Sequence, residues 1–211
     1  MQWELWLAFV GAAIAISVSP GAGAIQSMAT GLAHGLRRGY WSIMGLQIGL
    51  TLQLAAVAVG LGAAIARSVV AFTVIKWIGV GYLVYLAVRQ WRSKPFDLGE
   101  QASVDTSAGR LHLLVRGCLV NVTNPKGLAF LLAVLPQFVV PTAPLLSQYL
   151  AIGTTMVVVD LAVMGAYTGL ASRMLGWLRT PRQRKALNRT FSGLFAAAAV
   201  VLSLVRRGAA A

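Results

Sequence analysis

The stretch "AISVSPGAGAIQS" (residues 15–27) places a proline, two glycines and three serines inside the first long apolar run of the chain. Proline removes a backbone donor and clashes with the preceding helical turn. The carbonyl groups freed in this way cannot stay exposed to lipid. We therefore predict that the first helix is interrupted at Ser19-Pro20-Gly21, and that the interruption faces protein or a water-filled cavity.

The composition is that of a membrane protein. Of the 211 residues, 58% are hydrophobic and only 11% are charged, whereas a soluble domain carries about 25% charged residues. The net charge of +13 comes from short basic stretches between apolar runs, which is typical of topology signals and not of a nucleic-acid-binding face. The single cysteine excludes an internal disulfide or a redox pair, which argues against a membrane redox protein.

The apolar runs predict an all-α membrane protein with six transmembrane helices, because a span needs about 20 mostly apolar residues. The predicted spans are Leu5–Ala33, Gly39–Ala66, Ser68–Val88, two spans within Gly117–Ser172 separated at 139–147, and Thr190–Val205. Most loop arginines and lysines fall on one side of the membrane if both termini lie outside. The positive-inside rule therefore predicts an N-out, C-out topology.

A second interruption is predicted at Asn124-Pro125-Lys126. It falls in the first span of the second half when the chain, read as a single integral membrane domain 1–211, is divided into repeats 1–90 and 112–211, joined by a cytoplasmic loop at 91–111. Each repeat has three spans, so the second enters the membrane in the opposite sense. Paired interruptions in an inverted repeat mark a substrate site near the membrane midplane. Two simple proline kinks are the alternative.

Asp160 is the only acidic residue within a predicted span, and an intramembrane charge indicates a functional site. It would exchange a proton or bind the ammonium group of a substrate, unless it forms a structural ion pair with Lys126. Lys126 would pair with Asp160 or with a substrate carboxylate. The half-helix that begins near Gly21 also attracts a carboxylate, because its first N–H groups are unpaired and its dipole end is positive.

Uncharged polar residues and glycines complete the prediction. Gln47 and Gln53 line the cavity or form hydrogen bonds between helices, and the pair Gly45 and Gly49 predicts close helix packing. The sequence has no zinc-protease motif, catalytic triad, metal-ligand cluster or phosphate-binding loop, so we expect neither an enzyme nor a cofactor. The candidate binding or coupling residues are Pro20, Gly21, Gly23, Gln47, Asn124, Pro125, Lys126 and Asp160.

Four stretches resemble the LysE/RhtB family of amino-acid exporters, most closely its homoserine branch: "SPGAGAIQSMATGLAHGLRRG", "IKWIGVGYLVYLAVRQW", "NVTNPKGLAFLLAVLPQF" and "DLAVMGAY". The resemblance implies a multi-pass protein of the bacterial inner membrane, surrounded by lipid, that uses protons to export homoserine, homoserine lactone and threonine. It assigns the family motif positions to Pro20, Gly21, Asn124, Pro125, Lys126 and Asp160.

One position departs from the family pattern, and other functions stay open. Ala22 stands where many relatives have a proline or a serine, which puts the exact cargo in doubt. The alternatives are an exporter of another amino acid, of the lysine or leucine type, and a small channel without proton coupling. Lysine is disfavoured because its second ammonium group calls for another buried acid. The glycine-rich helix faces would permit a homodimer.

Overall fold

All secondary structure in the described part of the chain is α-helical. The structure is a computed structural model that describes residues 3–65, 69–92, 107–140, 143–171 and 180–204. The helices are α1 (Trp3–Val18), α2 (Ala22–Ile65), α3 (Val69–Arg92), α4 (Arg110–Val122), α5 (Pro125–Phe138), α6 (Leu145–Gly169) and α7 (Pro181–Leu204). The predicted all-α class is therefore confirmed. Most of the predicted loop 91–111 lies outside the described residues.

Both predicted interruptions are present. α1 ends at Val18 and α2 begins at Ala22, on either side of Pro20. Between α4 and α5, the Asn124 side chain caps the new helix by accepting a hydrogen bond of 3.1 Å from the backbone N–H of Lys126. Pro125 is the first residue of α5, where a missing N–H costs nothing. The axes of α4 and α5 differ by 52°.

α2 is a helical hairpin with a turn at Gly35. Gly35 has φ 68° and ψ 176°, a region of backbone conformation that only glycine adopts readily. The Gln26 amide donates a hydrogen bond of 3.2 Å to the Ser42 hydroxyl, and Gly39 lies against the Thr30 side chain. These pairs are placed symmetrically about Gly35, so the two arms run back along each other. The connection between the two arms is therefore the single residue Gly35, shorter than the predicted connection between Ala33 and Gly39.

Glycines bring α2 and α4 into close contact. A Cβ atom added to Gly45 would overlap the Leu114 carbonyl, and one added to Gly49 would lie 2.6 Å from the Cys118 carbonyl oxygen. From the other side, a Cβ on Gly117 would overlap the Ser42 carbonyl. The predicted packing role of Gly45 and Gly49 is confirmed, since only small residues let two helix backbones approach this closely.

We expect Gly117→Ala to lower the free energy of unfolding by about 1–3 kcal/mol or more, because the added methyl group forces α2 and α4 apart. Gly11→Ala is the matched control, since a Cβ at Gly11 meets no atom within 4 Å. Thermal unfolding of the purified proteins in detergent measures both. Equal stability of the two variants would contradict the close packing of α2 and α4.

By length and apolar composition, two helices of the described part qualify as membrane spans: α2 over Ala22–Gly60, and α6. The bent pair of α4 and α5 is a third candidate when it is taken as one span. Because α2 turns back at Gly35, its two arms overlap the first two predicted spans. The count of six spans, the inverted repeat and the N-out, C-out topology stay predictions.

The last helix begins before the predicted span Thr190–Val205. The basic stretch 181–189 is already helical, because α7 begins at Pro181. The Thr180 hydroxyl accepts a hydrogen bond of 3.3 Å from the Gln183 N–H, and the Gln183 side-chain oxygen accepts one of 3.1 Å from the Thr180 N–H. This reciprocal arrangement is a capping box with proline at the first helical position.

Two buried apolar clusters hold the helices together around the interruptions. The larger cluster joins α1, α2, α5 and α6 and includes Phe9, Leu50, Phe130 and Met156. The smaller cluster joins both arms of α2 to α6 and includes Ala24, Leu46 and Met164. Members of both clusters face the same small cavity, so the packing of the two clusters positions the candidate site between them.

Candidate functional site

A cavity of about 50 Å³ lies where the two interruptions meet. This volume accommodates a few water molecules. Polar and apolar groups from α1, α2, α4, α5 and α6 contribute to its wall. The lining residues are Ile16, Ser17, Ser19, Gly21, Gly23, Ala24, Leu46, Leu50, Asn121, Asn124, Lys126, Gly127, Phe130, Met156, Asp160 and Met164.

The structure brings most of the predicted site residues together. Gly21, Gly23, Asn124, Lys126 and Asp160 line the cavity. The other three predicted residues do not line the cavity. Pro20 and Pro125 form the interruptions, and the Gln47 amide donates a hydrogen bond to the Asp160 carboxylate. Residues more than a hundred positions apart therefore form one site.

The Asp160 carboxylate is held by a neutral donor. The Gln47 amide donates a hydrogen bond of 2.8 Å to Oδ2, and Ser17 lines the same cavity as the carboxylate. Ser17 was not among the predicted residues, although it lies one helical turn before Pro20 and so on the same face. The Gln47 Oε1 atom is buried and has no hydrogen-bond partner among the described residues, which leaves an acceptor beside the carboxylate.

Lys126 stabilises the end of α1. Its ammonium group donates hydrogen bonds to the carbonyl oxygens of Ile16, at 3.1 Å, and Ser19, at 2.5 Å. In a continuous helix the Ile16 carbonyl would accept from residue 20, but Pro20 has no N–H to donate. The lysine of the second interruption thus replaces the hydrogen bond that the first proline deletes. Its positive charge also suits the negative dipole end of α1.

Lys126 and Asp160 face the same cavity, and their opposite charges attract each other. Each group also has partners besides the opposite charge, since Lys126 bonds backbone carbonyls and Asp160 accepts from the Gln47 amide. A structural ion pair is therefore not the whole description of either residue.

Each interruption is held by side chains from the other half of the chain. The Tyr167 hydroxyl of α6 donates a hydrogen bond of 2.6 Å to the Val18 carbonyl at the first interruption. The Gln53 amide of α2 donates hydrogen bonds of 3.1 Å to the carbonyls of Val122 and Asn124 at the second. Gln53 therefore links helices, one of the two roles predicted for it. Tyr167 was not predicted as a functional residue.

We expect Tyr167→Phe to lower the free energy of unfolding by about 1–3 kcal/mol, because the Val18 carbonyl loses its donor at a partly buried position. Tyr85→Phe is the control, because Tyr85 is exposed. Thermal unfolding of the purified proteins in detergent measures the change. A Tyr167→Phe protein that behaves like Tyr85→Phe would argue against this role.

Ala22, the position that departs from the family pattern, lies outside the cavity. It is the first residue of α2, it is exposed, and it is absent from the cavity wall. The missing hydroxyl or proline at this position therefore removes no direct contact from the site in this conformation.

Comparison with known proteins identifies the family. A family model described as "LysE type translocator" matches residues 14–205. The chain belongs to the LysE family. Amino-acid efflux is accordingly its class of function, and it is a transporter and not an enzyme. The resemblance drawn from the four sequence stretches is confirmed.

Several curated relatives cover nearly all of this LysE-family chain. The "Homoserine/homoserine lactone efflux protein" of Salmonella typhi is 44% identical over 98% of this chain and 99% of its own length. An "Uncharacterized membrane protein" of Vibrio cholerae is 37% identical over 98% of this chain and all of its own. The "Leucine efflux protein" of Enterobacter sp. is 25% identical over 90% of both chains. No solved structure matches the chain.

Proposed function

We propose that the protein exports small neutral amino acids, namely homoserine, homoserine lactone and threonine, across the bacterial inner membrane in exchange for protons. The observation that carries this proposal is a single partly buried carboxylate, Asp160, on a cavity where two helix interruptions meet. The name of the Salmonella typhi relative supports the choice of cargo. Membership of the LysE family supports the direction of transport.

The ammonium group is the feature that Asp160 would recognise. All three cargoes carry one, whereas homoserine lactone has no free carboxylate. Asp160 is the only acidic residue among the described residues that line the cavity, and a charged donor strengthens a hydrogen bond to a carboxylate. Because Lys126 already bonds two backbone carbonyls, a cargo carboxylate is better placed near Gly21 and Gly23, at the positive end of α2.

Competition for Asp160 would couple cargo to protons. One carboxylate holds either a proton or an ammonium group, so cargo binding from the cytoplasm releases a proton there. On the outer side, a proton displaces the cargo and the protonated site returns inward. We include in this proposal the N-out topology and the rocking of repeats 1–90 and 112–211 about the fixed site, as in transporters built from inverted repeats.

The cavity wall favours neutral cargo over lysine. Asp160 is the only acidic residue among the described residues of the wall, so a second ammonium group finds no second carboxylate there. Six of the lining side chains are large and apolar, namely Ile16, Leu46, Leu50, Phe130, Met156 and Met164. The same apolar wall would suit leucine, which makes leucine export the second candidate. A relative named for leucine efflux, at 25% identity, supports that alternative more weakly.

Metabolite profiling of an overexpressing bacterial strain tests the proposal. We expect extracellular homoserine and threonine to rise relative to a strain that carries the empty vector, with little change in lysine. Uptake of labelled homoserine into inverted membrane vesicles should stop when an uncoupler collapses the proton gradient. Release of leucine without homoserine would establish the second candidate. Uptake that is insensitive to the uncoupler would contradict proton coupling and favour a channel.

A further inference from the structure

Three arginines from two helices meet around one cleft beside the Gly35 turn. Arg37 and Arg38 follow that turn in α2, and Arg110 is the first residue of α4. Together with Trp41 they line a cleft of about 620 Å³. The Arg110 guanidinium lies 5.9 Å from the centre of the Trp41 ring. This cleft is separate from the cavity at the interruptions and shares no lining residue with it.

The charges of this arginine cleft suit an anion. Arg38 donates a hydrogen bond of 3.4 Å to the Ala108 carbonyl, which orients its side chain toward the start of α4. No carboxylate of the described residues pairs with Arg37, Arg38 or Arg110. Gly109 caps α4 without a side-chain hydrogen bond, so the first N–H groups of that helix add to the positive potential. Guanidinium groups bind phosphate oxygens with two parallel hydrogen bonds.

A largely apolar cleft shares one lining residue, Arg37, with the arginine cleft. This second cleft has a volume of about 460 Å³, and its other walls come from α2 and α6: Leu36, Tyr40, Ile43, Leu161 and Gly165. Leu36 and Tyr40 are about half exposed, at 52% and 49%. A ligand that fits both clefts carries a phosphate at one end and a hydrocarbon chain at the other. That is the chemistry of a phospholipid and not of a free phosphate ion.

We propose that the joined clefts bind an anionic phospholipid. The phosphate lies among Arg37, Arg38 and Arg110, and the first part of an acyl chain lies along Leu36 and Tyr40. Basic pockets between membrane helices bind anionic lipid head groups in this way, and tryptophan favours the level of the head groups. The site depends on neither the identity of the cargo nor the proton coupling.

Lipid binding to the purified full-length protein tests the site. Native mass spectrometry would compare phosphatidylglycerol with phosphatidylcholine of the same chain length. We expect the wild-type protein to retain phosphatidylglycerol in preference. The triple variant Arg37→Gln/Arg38→Gln/Arg110→Gln should lose this preference, with roughly a hundredfold weaker retention, since charge-assisted bonds to phosphate are removed. The triple lysine variant keeps the charge and the topology signal, and it should lose roughly tenfold because lysine lacks the planar fork.

Arg189→Gln is the matched control. Arg189 is also exposed and also lies over a tryptophan, 4.8 Å from the centre of the Trp91 ring, but it does not line the joined clefts. We expect this variant to retain phosphatidylglycerol as the wild type does. Equal loss in Arg189→Gln and the triple glutamine variant would overturn the site in favour of general charge. Equally strong competition by soluble glycerol phosphate would overturn the lipid as ligand. Unchanged retention in the triple lysine variant would overturn the paired guanidinium–phosphate hydrogen bonds on which the site is built.

Discussion

Asp160→Asn is expected to reduce homoserine export to the level of vesicles without the protein, a loss of at least about tenfold. The substitution keeps the size of the side chain and an oxygen that accepts from Gln47, so the local structure should persist. What it removes is the negative charge that would bind the cargo ammonium group and exchange it for a proton. Uptake of labelled homoserine into inverted vesicles with an imposed pH gradient measures the loss.

Glu4→Gln is the matched control for this experiment, because it makes the same chemical change at an exposed position in α1, outside the cavity. We expect Glu4→Gln to export as the wild type does. Both variants should elute as single species in detergent, which separates loss of function from loss of fold. Full proton-driven export by Asp160→Asn would exclude the proposed coupling role and leave the carboxylate as a structural group.

Lys126→Met should abolish export and lower stability together. The variant keeps an unbranched chain of similar length but leaves the Ile16 and Ser19 carbonyls without the donors that the ammonium group supplies. A buried acceptor that loses its partner costs about 1–3 kcal/mol. The Asp160 carboxylate also loses the nearby positive charge. Thermal unfolding in detergent measures the change in stability, and vesicle uptake measures export.

The control for this change is Lys185→Met, since Lys185 is exposed on α7 and does not line the cavity. It should unfold and transport as the wild type does. Lys126→Arg gives a further comparison. It keeps the charge but needs more room, and the Gly21 backbone lies close by, with a hypothetical Cβ only 3.1 Å from Lys126 Cδ. A Lys126→Met protein as stable as the control would mean that Lys126 does not hold the end of α1.

The sequence was most informative where residue types conflict with their surroundings. A proline followed by glycine in an apolar run, and an Asn-Pro-Lys run in another, predict the interruptions because few other structures accommodate them. Asp160 was predicted for a similar reason, since a charge inside a span is costly. The start of α7 could also be predicted, because Thr180-Pro181-Arg182-Gln183 has the pattern of a capping box, whereas the predicted span begins only at Thr190.

The partners of these groups were not predictable from one sequence. The bonds from Lys126 to Ile16 and from Tyr167 to Val18 join residues more than a hundred positions apart. Which carbonyl a side chain reaches depends on how the helices pack, and hydrophobic periodicity does not encode that. The Gly35 turn was missed because a glycine near a helix end is common. The positive φ of Gly35 and the return of the second arm along the first are seen only in the structure.

The single-residue turn at Gly35 has a mechanical consequence. Such a short connection restricts the motion of the two arms of α2 relative to each other, and the Gln26–Ser42 hydrogen bond links them directly. The start of α2 near the cavity and Gln47 therefore belong to one rigid unit. In the chain, α1 is connected to this unit only through residues 19–21. Any displacement of Gln47 relative to α1 must then be absorbed by those three residues, which makes them the pivot of the first half of the protein.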